Sequence, residues 1–173
     1  GYIYAKTGSE TLIRYADISE IGANVANKYG VSFYSVNGSN TNEGVTIEKS
    51  RIHDGYRGIY FNSSSNNNTT KGITNNAIYS NNRGVYLITS SNNNTLTYNN
   101  IYGSTYDGFF LDSSSNNILT SNISYDNGYD GFYSNNNANN NTFTSNKSYS
   151  NSYEGFSLYF CSNVKFISND SFG

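Results

Sequence analysis

Three consecutive stretches of the chain are variants of one phrase. Residues 84–107 read GVYLITSSNNNTLTYNNIYGSTYD, residues 108–130 read GFFLDSSSNNILTSNISYDNGYD, and residues 131–154 read GFYSNNNANNNTFTSNKSYSNSYE. A glycine opens each stretch, and further glycines open looser copies of the phrase at Gly30, Gly58 and Gly155. The period settles to about 24 residues, which is typical of a solenoid whose turns stack on one another.

Each copy of the phrase predicts two short strands separated by a polar bend. The residue after the glycine is apolar, and so is the residue two positions later, as in Val85 and Leu87. This alternation is that of a half-buried strand. A second strand follows the Ser- and Asn-rich run, and one apolar position in it recurs at Ile13, Ile47, Ile73, Leu96, Leu119, Phe143 and Phe166. These recurrences predict seven coils, with the first and the last incomplete.

A row of asparagines is predicted three residues beyond that second apolar position. Ala16 and Ser50 take the place in the first two coils, and the later coils have Asn76, Asn99, Asn122, Asn146 and Asn169. In a parallel stack an Asn amide can donate to the side-chain carbonyl of its copy, roughly 4.8 Å away along the axis. The bend can then bury polar side chains that satisfy one another.

The sequence contains no helix signal. Asn-rich bends recur every few residues, and no long run of good helix formers lies between them. The chain has no Pro, which suits interior strands that donate hydrogen bonds to their neighbours. We therefore predict an all-β, right-handed parallel β-helix of about seven coils, with residues 1–173 forming a single domain.

The recurring phrase G-[VIF]-x-[LF], followed by S-S-x-N-N-x-[LF]-T-x-N-x-[IS]-Y, resembles the parallel β-helix repeats of pectate-lyase-like enzymes. It is similar as well to repeats of the periplasmic maturation protein of nitrous oxide reductase and of archaeal and bacterial surface proteins. The likeness covers residues 30–172 and, more loosely, the chain from residue 1. It implies the fold, and its Asn- and Tyr-rich version implies an extracellular or cell-surface location. A fold likeness of this kind says little about function.

Composition argues against several classes of partner and cofactor. The net charge of -2 and the scattered Lys and Arg residues provide no basic surface for nucleic acid. No stretch approaches the roughly 20 apolar residues of a membrane span. Cys161 and His53 are the only residues of their kinds, so the sequence predicts no disulfide, no metal site and no cofactor. His53 takes the place that tyrosine holds in later coils, which indicates a substitution within a row.

A charged residue precedes the glycine in five coils: Arg57, Arg83, Asp107, Asp130 and Glu154. One interpretation is a solvated edge at which the acids face water and Arg83 pairs with Asp107. The other is a catalytic column, in which stacked acids raise a carboxyl pKa or bind Ca²⁺. The resemblance implies that polysaccharide lyases of this fold combine clustered acids with Ca²⁺ and a basic residue. That residue would be Arg83, Arg57 or Lys147.

Tyrosines stand beside this column at Tyr106, Tyr129 and Tyr153, as well as at Tyr56. If the rings point outward they can contact glycans, and rings one coil apart can also stack on one another. Nine Asn-x-Ser/Thr sequons occur, among them Asn37, Asn62 and Asn93, which is about the number expected by composition alone. Whether these asparagines are glycosylated is left open.

The two ends of the chain lack the polar cap that usually closes a solenoid. Residues 1–4 already read as a repeat strand, and Phe172 and Gly173 fall inside a coil. We expect either a fragment of a longer β-helix or a subunit whose ends pair with copies of itself, which would form a filament.

The sequence favours a non-catalytic extracellular or cell-surface β-solenoid with a structural or adhesive role, which self-associates or contacts surface polysaccharide. The alternative is a polysaccharide lyase or glycoside hydrolase module that uses Asp107, Asp130, Glu154 and Arg83. A groove lined by acids and Arg83 would favour the enzyme, and a smooth polar flank would favour the structural role.

Overall fold

The chain winds through seven coils, and each coil contributes three short strands. The computed structural model describes residues 1–26, 28–36, 44–63 and 72–173. The strands are β1 (Ile3–Lys6), β2 (Glu10–Arg14), β3 (Asp17–Ser19), β4 (Gly30–Tyr34), β5 (Gly44–Glu48), β6 (Arg51–His53), β7 (Arg57–Asn62), β8 (Ile73–Thr74), β9 (Ala77–Tyr79), β10 (Arg83–Ile88), β11 (Thr95–Thr97), β12 (Asn100–Tyr102), β13 (Phe109–Asp112), β14 (Ile118–Thr120), β15 (Ile123–Tyr125), β16 (Phe132–Asn135), β17 (Thr142–Thr144), β18 (Lys147–Tyr149), β19 (Phe156–Leu158), β20 (Lys165–Ile167) and β21 (Asp170–Phe172). The first and last coils, predicted to be incomplete, each contain all three strands.

Three parallel sheets run along the axis of the solenoid. The first strands of the seven coils form sheet A, the second strands form sheet B, and the third strands form sheet C. Residues one coil apart lie side by side, so that Ile47 pairs with both Ile13 and Ile73, and Leu96 pairs with Leu119. The predicted all-β solenoid and its register are confirmed. The described residues include no helix.

Inward-facing side chains fill the interior of each coil. Where a side chain of sheet A becomes larger along the axis, the facing side chain of sheet C becomes smaller. In the fourth coil Val85, Leu87 and Ile101 are fully buried. In the next coils phenylalanine replaces the valine of sheet A, and serine replaces the isoleucine of sheet C. Phe109 stacks on Phe132 with ring centroids 4.7 Å apart, while the Ser124 hydroxyl donates to the Gly131 carbonyl at 2.9 Å. Such paired exchanges keep the interior close-packed.

The glycine that opens each phrase is required because sheets A and C approach closely at that point. A Cβ on Gly108 would overlap the Ser124 hydroxyl and lie 2.8 Å from the Gly131 carbonyl oxygen. A Cβ on Gly84 would likewise overlap the Ile101 side chain. The most regular element of the sequence therefore reflects a steric constraint of the scaffold.

The asparagine row lies at the bend between sheets B and C, and its side chains form a continuous ladder. Asn122 Oδ1 accepts hydrogen bonds from the backbone N–H and the Nδ2 of Asn99, at 2.9 and 3.0 Å. Asn122 Nδ2 donates to the Leu96 carbonyl and to Asn146 Oδ1. The same contacts extend from Asn76 to Asn169. Buried amides at this bend are thereby satisfied.

Two further polar rows, which were not predicted from the sequence, occupy the other two bends. Asn117 accepts from the N–H of Asn94 at 2.8 Å between sheets A and B. Asn127 accepts from the N–H of Ser104 at 3.0 Å between sheets C and A. The rows continue in the next coil at Asn141 and Asn151. A signal was present, since an asparagine stands two positions before the apolar residue of sheet B in three successive coils.

Candidate functional site

The charged column lies where each coil passes from sheet C into sheet A. Backbone hydrogen bonds hold its members one above another: the Gly84 N–H donates to the Asp107 carbonyl, and the Gly108 N–H donates to the Asp130 carbonyl. The Gly131 N–H donates to the Glu154 carbonyl at 3.0 Å. The register of the coils therefore brings Arg83, Asp107, Asp130 and Glu154 together on one flank.

The predicted tyrosines form a wall along one side of this column. Tyr106 and Tyr129 have ring centroids 5.2 Å apart, and those of Tyr129 and Tyr153 are 4.9 Å apart. The three side chains stack on one another and also keep exposed surface, at 37%, 44% and 63% for Tyr106, Tyr129 and Tyr153. The outer edges of these stacked rings are available to a ligand on this side.

A second aromatic row, which was not predicted from the sequence, lies on the other side of the column. Tyr129 precedes Asp130 by one residue, and Tyr133 follows it by three on β16. Tyr133 stacks on Phe110, with centroids 4.8 Å apart, and Phe110 stacks on Tyr86 in the same way. Their signal was the middle position of the phrase G-[VIF]-x-[LF], which the alternation of a strand sends outward.

The first aromatic row, Tyr133 of the second row and the charged column line a groove of about 410 Å³. Its lining residues are Arg83, Tyr106, Asp107, Tyr129, Asp130, Tyr133, Tyr153, Glu154, Ser157 and Tyr159. The acids and Arg83 form the polar part of the lining, and five tyrosines form most of the rest. This flank of the solenoid is therefore a groove lined by acids and Arg83. It is not the smooth polar surface expected for a purely structural role.

Arg83 and Asp107 form an ion pair at the floor of the groove. Arg83 Nε lies 3.0 Å from Asp107 Oδ2, as the first interpretation of the column predicted. The rest of that interpretation is wrong for two of the acids, because Asp107 and Asp130 are only 4% and 8% exposed and do not face water. The flanking tyrosines cover them. Glu154 is exposed.

Asp130 has the most perturbed acid–base properties in the groove. Burial raises the pKa of Asp130 to about 6, and the neighbouring side chains of Glu154 and Asp107 add to the increase. The Glu154 N–H donates to Asp130 Oδ1 at 3.0 Å and partly offsets this effect by lowering the pKa. The carboxyl can therefore gain or lose a proton near neutral pH.

The other candidate basic residues do not reach the groove. Arg57 is surrounded by aromatic rings, and its guanidinium carbon lies 3.9 Å from the ring centroid of Tyr29, 4.3 Å from that of Tyr60 and 4.7 Å from that of Tyr86. Lys147 lies on β18 of sheet C, away from the column. Neither residue is therefore placed to act as the basic partner within this groove. Among the described lining residues Arg83 alone is basic.

His53 lies on sheet C between two carboxylates. Its Nδ1 is 2.6 Å from Asp54 Oδ2, and its Nε2 is 2.8 Å from Asp17 Oδ1. The imidazole stacks on Tyr79 with centroids 4.6 Å apart, so it takes the place of a ring in the row, as predicted. Across the described ranges, no group of three His, Cys, Asp or Glu side chains is arranged to hold a metal ion.

The sequons lie in different environments. Asn93 is exposed, Asn62 is half-buried, and Asn146 is buried in the ladder. Asn37 lies outside the described residues. Glycosylation of Asn62 and Asn93 stays a prediction.

The fold and the groove define this protein as a parallel β-solenoid with an aromatic-lined flank. The family model described as "Right handed beta helix region" matches residues 1–171, and the chain belongs to that family. No curated protein gives a significant match. In the described residues, no helix has the length and apolar character needed to cross a membrane.

Solved structures of the periplasmic alginate epimerase AlgG share the fold. The epimerase aligns with a TM-score of 0.75 and 22% sequence identity, over 97% of this chain and 46% of that chain. A double mutant of the same epimerase aligns with a TM-score of 0.74 and 22% identity, over the same shares. This chain thus spans less than half the length of these relatives.

Proposed function

We propose that the groove binds a polysaccharide chain along the solenoid axis, and that the protein is a non-catalytic extracellular or cell-surface module. The observation that carries this proposal is a groove in which five tyrosines accompany a polar floor of acids and Arg83. Sugar rings present apolar C–H faces to aromatic rings and hydroxyl groups to polar side chains. A groove of this composition offers both kinds of contact.

The spacing of the rings supports an extended ligand. Tyr106, Tyr129 and Tyr153 repeat at 4.9–5.2 Å, one ring for each coil. This repeat is comparable to the length of one pyranose unit in an extended chain. Because the rings are fixed by stacking and by the scaffold, a ligand would lose little free energy in ordering them.

Replacement of the central tyrosine tests the proposal. Tyr129→Ala should weaken binding of purified protein to immobilised surface polysaccharides by about tenfold or more, since a central aromatic anchor is removed. Tyr102→Ala is the matched control, because Tyr102 also stacks on two rings but lies on sheet C. The two variants should unfold at similar denaturant concentrations. Equal binding by both variants would contradict the proposal, as would a wild-type protein that binds no glycan.

The location proposed for the protein is consistent with the same role. A weakly charged, Asn- and Tyr-rich solenoid with a glycan-binding flank suits a cell surface, and AlgG, which shares the fold, is a periplasmic epimerase. Protease treatment of intact cells, followed by detection of the protein, tests this assignment. A protein that is degraded only after lysis would contradict it.

A second candidate function is acid–base chemistry on the bound polysaccharide, as in a lyase or a glycoside hydrolase. Asp130 favours it, because a buried carboxyl with a pKa of about 6 can act as a general acid. The ion pair of Arg83 with Asp107 opposes the lyase version, since Arg83 is the basic residue among the described lining residues. Incubation with polysaccharides, with and without Ca²⁺, should release unsaturated or reducing ends if this candidate is correct.

Self-association along the axis is a further part of the proposal. Its physical basis is that strands at the edge of a parallel solenoid can pair with those of a second copy. A direct stack of two copies would bring Asp170 near Asp17, and this like-charge contact would weaken it. Negative-stain microscopy at high protein concentration tests the proposal. Monodisperse particles would contradict it, and filaments would support it.

A further inference from the structure

The groove has unbalanced charge, and the imbalance is concentrated at one end. Arg83 is already neutralised by Asp107, with which it forms an ion pair of 3.0 Å. Asp130 and Glu154, in the next two coils, take part in none of the ion pairs formed among the described residues. The floor beneath Tyr129 and Tyr153 therefore carries negative charge that the protein does not compensate.

Burial makes this charge costly when the groove is occupied. Asp130 is 8% exposed, the backbone N–H of Glu154 donates to its Oδ1, and the Glu154 side chain lies within hydrogen-bond reach of its carboxyl group. A ligand lying over it would remove the remaining water. A carboxylate that loses water without gaining a cation is destabilised, and its complex is weakened. An occupant that brings positive charge to this point would instead form charge-assisted hydrogen bonds.

The surrounding rings direct the charge of a ligand toward the floor. Tyr129 and Tyr153 flank Asp130 and Glu154 on one side, and Tyr133 and Tyr159 line the groove on the other. A pyranose unit packed against the exposed ring edges of Tyr129 and Tyr153 would bring a substituent close to the acids on the groove floor. An ammonium group, with its three donors, can bond to both carboxyl groups at once.

From this geometry we infer that the groove selects polysaccharides that carry free amino groups over neutral ones, and that it rejects polyuronates. The inference rests on the proposed function, because it assigns the ligand class of the same groove. A polyuronate would bring its carboxylates beside Asp130 and Glu154, and like-charge contacts of this kind reduce affinity. An N-acetylated chain keeps the contacts with the tyrosine rings and loses the ion pair.

The acid–base properties of the groove add a pH dependence. The titratable or charged groups that line the groove with Asp130 are Arg83, Tyr106, Asp107, Tyr129, Tyr133, Tyr153, Glu154 and Tyr159. The preference for the amine should be present above the pKa of Asp130, where its carboxyl is charged. It should decline as the pH falls through about 6, because protonation removes the charge of Asp130.

Titration calorimetry with three tetrasaccharides tests the inference. The probes are a glucosamine tetramer, its fully N-acetylated counterpart and a galacturonate tetramer. At about pH 7 the amine should bind the wild-type protein about tenfold more tightly than the N-acetylated probe, and the uronate should bind most weakly. At about pH 5 the difference between the first two should shrink.

Two variants identify the residue responsible. Asp130→Asn should abolish the preference for the amine and leave binding of the N-acetylated probe within about twofold, since the amide oxygen can still accept the Glu154 N–H. Asp126→Asn, an exposed residue outside the groove, removes the same charge and should leave the preference intact.

The outcomes separate the inference from the proposed function. Equal affinities for the amine and the N-acetylated probe, or tighter binding of the uronate, would overturn the charge selection while glycan binding stands. Failure of all three probes to bind, together with no binding to immobilised polysaccharides, would overturn both.

Discussion

Two faces of the solenoid carry stacked aromatic rings, and they differ in what lies beside the rings. On sheet C, Tyr79, Tyr102, Tyr125 and Tyr149 stack at 4.8–5.0 Å with interplanar angles of 7–13°. At the groove, a similar row is accompanied by Tyr133 of a second row, by the Arg83–Asp107 ion pair and by two more acids. A parallel solenoid turns any outward aromatic position into a stack, so stacking alone does not define a site. The second row and the uncompensated charge distinguish the groove.

The largest expected effect comes from breaking the asparagine ladder, which supports both of these faces. Asn122→Ala removes the acceptor of two Asn99 donors and the donor to Asn146 Oδ1 inside the ladder. Unsatisfied buried groups at this bend should lower the free energy of unfolding by about 3 kcal/mol, measured by urea denaturation. Both faces should lose order together, because the ladder supports each coil.

A neighbouring asparagine provides the control for that experiment. Asn100→Ala on β12 should cost less than about 1 kcal/mol, since the half-buried Asn100 lies outside the ladder and its Oδ1 has no hydrogen-bond partner to lose. Similar denaturation midpoints for the Asn122 and Asn100 variants would show that the ladder adds little stability.

A smaller loss of stability is expected when the Arg83–Asp107 ion pair of the groove is broken. Arg83→Met leaves Asp107 buried without its cation and removes a guanidinium that lies about 5 Å from the rings of Tyr86, Tyr106 and Phe110. Because Arg83 itself is partly exposed, the loss of stability should be about 2 kcal/mol rather than that of a fully buried pair. Thermal and urea unfolding measure it.

The matched change on sheet C should have less effect. Arg51 pairs with Asp17 on that sheet, and both side chains are at least half exposed. Arg51→Met should therefore destabilise the protein less than Arg83→Met. The reverse order would mean that burial of Asp107 does not determine the strength of its pairing.

The columns could be predicted from the sequence, whereas the groove could not. A fixed period with parallel strands dictates that Asp107, Asp130 and Glu154 stack, and that Asn99, Asn122 and Asn146 form one row. Whether the acids face water depends on the angle between sheets C and A and on the cover that the flanking tyrosines supply. Neither quantity is a property of the repeat. The position of the column was therefore predicted correctly, and the environment of two of its acids was not.

The smallest expected effect concerns His53, which takes the place of a tyrosine in the sheet C row. Titration of His53 should make the stability of the protein depend on pH. The hydrogen bond to Asp54 raises the pKa of His53, and the bond to Asp17 adds to the increase. A raised folded-state pKa means that the stabilisation is complete below the unfolded value of about 6.5 and is lost as the pH rises through the folded value. His53→Tyr restores a tyrosine to the row and removes this titration, so the stability of the wild type relative to the variant should fall between mildly acidic and mildly alkaline pH. Urea denaturation across that range measures the difference, and a difference independent of pH would show that the two carboxylates do not hold His53 in its charged form.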